Sequence, residues 1–467
     1  MQIAFPFPVT TVPTCSPRLA SPMQTSAAGA LDVAMTPDVA RLLAANAVVA
    51  VGVSGGKDSG AVALAVANHL DAIGHTGPRV LIHADLGIVE WKDSLPSCER
   101  LAAHLGWELI VVRRAAGDLM QRWQGRWAAN VARYADLSCV KLILPWSTPA
   151  LKFCTSEMKV QTIASALKKR FPGQDVLNVT GVRAQESSAR SKMPVSQAHA
   201  GLSRKDMEGI TWNAILHWDI DSVFARIAQA GLALHEAYTK YSMTRVSCAF
   251  CVMSSGADLI ASSTCEDNHD LYRIMVDLEI ESTFGFQGGR WLADVAPHLL
   301  TPAQLAGVAR AKVGARLRQE AEALLPPHLL YTKGWPTALP TWGEAQLVAD
   351  IRQRVAAAVG LRIQRADAGS VMARYSQLLG EAAPGAQNEC EFGTLAQIKK
   401  LEFSESNIRG FLVGLCDIGL SLEDLTNYGR LPGSRSCSRS TKSSVTGSGM
   451  GTTSTMSGRS PRPKSSW

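Results

Sequence analysis

The chain has 467 residues, 46% of them hydrophobic and 19% charged, which excludes a disordered or fibrous protein and fits a globular α/β enzyme of two or three domains. Six of its seven net positive charges can be assigned to a tail: Arg435, Arg439, Lys442, Arg459, Arg462 and Lys464 follow Leu431 with no acid among them, so bulk charge does not argue for a basic nucleic-acid face over the rest. Ten cysteines in so long a chain exclude a small disulfide scaffold, and no run approaches the ~20 apolar residues of a membrane span. Met1–Gln24 lacks a basic start followed by a long apolar core. The expected location is therefore the cytoplasm, with no membrane partner and with thiols reduced and free to bind metal.

Residues 1–35, rich in Pro, Ser, Thr and Ala, read as a disordered leader. Val48–Val53 is an apolar, β-branched run and predicts a buried strand. Asp58–Ile73 predicts a helix with Val62, Val66 and Leu70 on one face. Arg79–Ala84 predicts a second strand, and Asp93–Leu105 a second helix. Glu108–Val112 predicts a third strand, Ser156–Lys169 a helix and Asp175–Thr180 a fourth strand. Such alternation with short links argues for parallel strands covered by helices on both faces, an α/β doubly wound sheet. After about residue 300 the strands cease, and Ala303–Leu325, Glu344–Val359 and Ile398–Leu415 predict a helical C-terminal domain over 301–430. Residues 431–467, rich in Ser, Gly, Thr and Arg, read as a disordered basic tail.

The first strand runs straight into Ser54-Gly55-Gly56-Lys57-Asp58-Ser59 and a helix comes next. Two glycines let the backbone turn tightly and bring N–H groups close to a ligand. The helix N-terminus behind them adds partial positive charge, Ser54 and Ser59 can donate hydroxyl hydrogen bonds, and Lys57 supplies a point charge. Such a nest binds phosphate or sulfate. It is not a Walker A loop, which needs Gly and Ser or Thr where Val51 and Asp58 stand. It resembles the PP-loop of ATP pyrophosphatases, in which the loop holds pyrophosphate while a substrate oxygen attacks the α-phosphorus. Asp58 then either caps the helix or helps position Mg²⁺.

The resemblance extends over roughly 49–290, toward the PAPS reductase family. His83-Ala84-Asp85-Leu86-Gly87 closes the second strand, where the family carries an Asp-Thr-Gly-like segment along adenine and ribose; Asp85 and Gly87 match. Gly181-Val182-Arg183-Ala184-Gln185-Glu186-Ser187-Ser188-Ala189-Arg190 is similar to a family segment whose two arginines, here Arg183 and Arg190, suit phosphate or sulfate. Trp218–Phe224, then Gly231, His235, Tyr238 and Tyr241, resembles the family's tryptophan-led helix and the segment after it. Taken alone, Trp218 and Tyr238 read as core residues. The resemblance implies a Rossmann-like domain, adenine nucleotide alpha hydrolase-like, over 36–300, with an ATP or PAPS nucleotide and Mg²⁺.

Cys248-Ala249-Phe250-Cys251 alone is a redox pair, half a zinc site or part of an iron–sulfur site. Cys154 stands where family members with clusters place a cysteine before a helix, which implies a [4Fe–4S] cluster on Cys154, Cys248 and Cys251, with Cys265 or Cys139 as fourth ligand and zinc as the alternative. Cys98 and Cys416 read as core residues on apolar helix faces. Cys390 lacks the Gly and His that flank the family's reductase nucleophile. Three functions are compatible with these residues. The first is adenylation of an acceptor, a nucleic acid or a sulfur-carrier protein, with pyrophosphate release linked to sulfur transfer, Lys57, Asp58 and Arg183 being catalytic. The second is reduction of PAPS to sulfite. The third is a non-enzymatic nucleotide-sensing or DNA-associated regulator.

Overall fold

The computed structural model describes residues 32–381; residues 1–31 of the expected leader, the helix expected at Ile398–Leu415, Cys390, Cys416 and the basic tail lie outside them. The last residues of the expected leader, 32–35, are ordered instead: Val33 is buried, the Ala34 amide donates to Ala214 O at 2.7 Å, and the Asp32 and Ala34 carbonyls accept from the indoles of Trp218 and Trp212. A six-stranded sheet with the order β3-β2-β1-β4-β6-β5 organises the chain. Its strands are β1 (Val48–Val53), β2 (Arg79–Asp85), β3 (Glu108–Arg113), β4 (Val176–Val179), β5 (Ser196–Ala198) and β6 (Gly209–Trp212). All neighbours pair in parallel except β5, which runs antiparallel to β6 along one edge. The four expected strands are all present. The order reverses on either side of β1, so the loops leaving β1 and β4 flank a topological switch point, where open α/β sheets bind ligands.

The helices are α1 (Pro37–Ala44), α2 (Lys57–Ala72), α3 (Ser94–Leu105), α4 (Leu119–Ala135), α5 (Phe153–Thr155), α6 (Thr162–Arg170), α7 (Ile220–Gln229), α8 (Glu236–Thr239), α9 (Gly256–Ser263), α10 (His269–Ser282), α11 (Pro302–Glu322), α12 (Trp342–Val359) and α13 (Ala368–Glu381). Alternation along β1 sorts the two faces. Val49, Val51 and Val53 pack with Val62 and Val66 of α2 and Val223 and Ile227 of α7, whereas Val48 and Ala50 pack with Leu167 of α6. Each such fully buried Val or Leu contributes about 1.5–3 kcal/mol. The sheet is therefore covered on both faces, as the strand–helix alternation requires.

A second core lies beyond the sheet. Helix α4 opens with an Asp118–Gln121 capping box and buries Trp123, Trp127 and Tyr134 at helical spacing. Trp123, Trp146 and Phe286 pack edge to face, with ring centroids 5.1–6.2 Å apart. Helices α10 to α13 add Tyr272, Val348, Val355 and Tyr375 to the same cluster. Arg352 of α12, fully buried, donates to the carbonyls of Tyr134 and Ala135 at 2.8 and 3.1 Å and to that of Arg365 at 3.1 Å. Its cation thus satisfies acceptors at the negative end of α4.

Candidate active site

The site starts where β1 ends. His83 of β2 is buried between Val53 O, at 3.0 Å from Nδ1, and Glu90 Oε2, at 3.1 Å from Nε2, with Cys98 Sγ 3.8 Å from Nδ1. Burial alone would push this imidazole down, but the Cys98 thiol and the Glu90 carboxylate outweigh it and raise the group to about 10. A charged His83 thus braces the carbonyl just before the Ser54–Ser59 loop.

Gly55 takes φ +74°, and a Cβ there would lie 2.9 Å from Ser94 O and 3.1 Å from the His235 ring. The turn therefore requires glycine in both conformation and space. The Ser59 hydroxyl donates to Gly56 O at 2.8 Å and accepts from Ser54 N at 3.2 Å, so it serves the loop itself. Helix α2 begins at Lys57 with no side-chain cap, which leaves its N-terminal amides to other acceptors.

Lys57, Asp58 and Arg183 converge. Asp58 accepts from Arg183 Nε at 2.6 Å through one oxygen and pairs with Lys57 Nζ at 3.2 Å through the other. Arg183 and Lys57 are buried, 3% and 5% exposed, so the carboxylate holds two cations in place. The approach of the β4 loop depends on Gly181, where a Cβ would fall 2.7 Å from Asp58 O. Glu186 accepts from the Arg183 amide at 3.0 Å and pairs with Arg190 in the i,i+4 geometry.

Tyr238, a core residue when taken alone and part of the family-like segment after Trp218, stands over this helix terminus. Its hydroxyl oxygen accepts from Lys57 N and from Val246 N, each at 3.2 Å, and its ring lies 5.4 Å from Lys57 Nζ. Burial raises its phenol to about 12, which keeps it protonated. Lys57 Nζ reaches Thr244 O at 3.4 Å, and Thr244 is tied to the buried Asp258 through its amide at 2.9 Å and its hydroxyl.

A cavity of about 680 Å³ opens beside these residues and is lined by Lys57, Asp58, Arg183 and Arg190, together with Cys154, Cys248 and Cys251. The residues read separately as phosphate binders and as thiol ligands thus share one space. Burial and the nearby Cys251 push the Cys248 thiol up, and the Lys159 cation opposes them. The other two cysteines lie elsewhere. Cys265 is buried against Tyr241, Cys139 is buried with Asn130 Nδ2 3.6 Å from its sulfur, and neither lines the cavity. Among the described residues no three Cys, His, Asp or Glu side chains close around a single-ion position. In chemistry, three thiols from two segments suit a cluster, which spreads its ligands more widely than one ion does.

Asp85 and Gly87 line a different cavity of about 760 Å³ at the carboxyl ends of β2 and β3. Asp85 accepts from Gly87 N and from Arg113 Nε, both at 2.7 Å. Leu86 between them is buried and faces the cysteine cavity instead. The two cavities differ in charge. Lys92, Arg113 and Arg114 are outnumbered in one by Asp85, Glu90, Asp118, Asp267 and Asp270, whereas cations dominate the other. An anion would therefore favour the cysteine cavity over the other. Sequence reading missed Lys152, Lys159 and Arg245 on its wall, although the two lysines flank Cys154 and Arg245 shortly precedes Cys248.

Residues 48–253 match the family model of the phosphoadenosine phosphosulfate reductase domain. No curated protein matches the chain in sequence. Among solved structures, phosphoadenylyl-sulfate (PAPS) reductase from Candida auris in a phosphate complex is 15% identical, over 43% of this chain and 80% of that one, with a TM-score of 0.28. The U34-tRNA thiolase NcsA from Methanococcus maripaludis with its [4Fe-4S] cluster is 13% identical, over 56% of this chain and 84% of that one, with a TM-score of 0.30.

Proposed function

We propose, from the match of residues 48–253 to the phosphoadenosine phosphosulfate reductase domain model, that the protein is an enzyme that binds ATP–Mg²⁺ and adenylates an acceptor with pyrophosphate release, linked to sulfur transfer. The observation that carries this reading is the convergence of Lys57, Asp58 and Arg183 at the N-terminus of α2, in one cavity with Cys154, Cys248 and Cys251.

The chemistry is set by the charges. An acceptor oxygen attacks the α-phosphorus, the bond to the bridging oxygen breaks, and its electron pair leaves with pyrophosphate. The loop and the Lys57 ammonium meet the charge that develops there. Arg183 holds phosphate oxygens, and Asp58 keeps both cations aimed and would help hold Mg²⁺, which would neutralise phosphate charge. Ser54, Gly55, Gly56 and Ser59 shape the loop, and Arg190 stands further along the same wall, paired with Glu186. Cys154, Cys248 and Cys251 would hold an iron–sulfur cluster, which supplies a soft centre for binding sulfur. The acceptor's sulfur chemistry would take place beside that wall.

The family description favours a second reading, reduction of PAPS to sulfite with a thiol donor. Competitive binding of ATP–Mg²⁺ and PAPS to the anaerobically purified protein separates the two, with Lys57→Ala as control. Tight ATP–Mg²⁺ binding that Lys57→Ala abolishes supports adenylation. Preference for PAPS, with thiol-dependent sulfite release, replaces it with reduction.

A further inference from the structure

The cysteine cavity holds more positive charge than its nucleotide site uses. Its wall carries six cations, of which Lys57 and Arg183 share Asp58 and Arg190 pairs with Glu186. The remaining three, Lys152, Lys159 and Arg245, have no carboxylate within ion-pair distance among the described residues. Lys152 and Arg245 are exposed and Lys159 is half-buried, and like charges gathered on one wall repel each other unless an anion joins them. A magnesium-bound nucleoside triphosphate brings roughly two net negative charges, and Lys57 and Arg183, less their shared Asp58, together with the helix terminus offset most of them.

The three cations also stand together for a structural reason. Lys152 and Lys159 bracket α5, and Ser156–Gln161 continues it as a π-helix. The wider π turn takes more residues per revolution, so Lys159 and Cys154 both reach the cavity wall. Arg245 comes from the opposite segment, beside Thr244, whose carbonyl accepts from Lys57 Nζ and whose amide and hydroxyl are tied to Asp258. Both cationic segments therefore carry the cysteines as well.

We propose that Lys152, Lys159 and Arg245 form a second anion subsite, which holds a tetrahedral oxyanion of the acceptor, phosphate or sulfate in class, against the cysteine wall while the nucleotide occupies Lys57 and Arg183. This rests on the nucleotide reading of the same cavity and adds the charge of the second substrate. The oxyanion is either a free small anion or a phosphodiester of a nucleic-acid strand, and the two sources separate by experiment.

The test uses the full-length protein and the triple variant Lys152→Gln, Lys159→Gln, Arg245→Gln. ATP–Mg²⁺ affinity is measured by calorimetry. On the ATP-loaded protein, binding of radiolabelled inorganic sulfate is followed by equilibrium dialysis, and that of a short mixed-sequence single-stranded oligonucleotide by anisotropy over a salt series. The expected result is ATP–Mg²⁺ affinity within about twofold of the parent, with at least a tenfold loss for one probe. Loss for sulfate alone identifies a small anion. Loss for the oligonucleotide, with a shallower salt slope, identifies a strand phosphate. Parallel loss of ATP–Mg²⁺ affinity overturns the proposal, because the three cations then serve the nucleotide. Undiminished or absent binding of both probes, with ATP–Mg²⁺ bound normally, overturns it as well. Failure of the parent protein to bind ATP–Mg²⁺ or PAPS instead sinks the nucleotide reading on which it rests.

Discussion

The hydroxyl oxygen of Tyr238 lies 3.2 Å from the amide nitrogen of Lys57 and 3.2 Å from that of Val246, so one phenol ties the start of α2 to the segment that carries Cys248. Tyr238→Phe removes the acceptor from both amides. A buried donor left without a partner costs about 1–3 kcal/mol, less where water reaches it. The expected loss is about 1–2 kcal/mol in urea denaturation, together with faster alkylation of Cys248 in the metal-free protein. An unchanged unfolding midpoint and alkylation rate would show that the phenol merely fills space.

Asp58 is the only acid bonded to the side chains of Lys57 and Arg183 among the described residues. Asp58→Asn leaves two buried cations without their carboxylate, and breaking such a pair costs about 3–5 kcal/mol. The ligand-free variant should therefore melt well below the parent. Pyrophosphate, which returns negative charge to the same place, should raise its melting temperature by more than it raises the parent's. Equal ligand-induced shifts would count against a shared anion position.

Gly55→Ala forces a side chain into a left-handed turn at φ +74°, with its Cβ 2.9 Å from Ser94 O. Conformational strain of this kind costs about 1–2 kcal/mol, and the clash with a backbone carbonyl adds to it. Nucleotide affinity should fall at least tenfold in calorimetry even where the protein remains folded. Wild-type affinity would mean that the loop can bind phosphate in another shape.

His83 gives the stability of the phosphate loop a pH dependence. Its folded value is raised to about 10, against about 6.5 for an ordinary imidazole. A raised value means that the charged form favours folding. The contribution is fully present below pH 6.5 and is lost as pH climbs toward 10. His83→Gln should flatten that part of the stability profile, read as denaturation midpoints between pH 6 and about 10. A variant that declines as steeply as the parent would assign the slope to other groups.

Much of the sheet was legible because Val48–Val53 is apolar throughout and Arg79–Ala84 is built on the run Val80-Leu81-Ile82. The other edge was not. Ser196–Ala198 is three residues, two of them exposed, and Gly209–Trp212 opens on glycine, so neither carries the signal of a buried strand. Helix α4 carries Leu119, Trp123, Trp127 and Tyr134 at helical spacing, a signal the expected elements did not include, and these residues belong to the second core. Lys57, Asp58 and Arg183 were legible through their loop signature. Tyr238 was not, because its role comes from two backbone amides, and backbone leaves no mark in residue type.

The fully buried Arg352 sets where this chain can be cut. Its guanidinium joins α12 to the last carbonyls of α4 across more than two hundred residues of sequence. A shortened version ending near residue 300 would expose Tyr134 and leave the carbonyls of Tyr134 and Ala135 without the donor they share. Anyone preparing a minimal protein for crystallography or screening should therefore keep the chain through Glu381, even though every residue lining the cysteine cavity lies before residue 260.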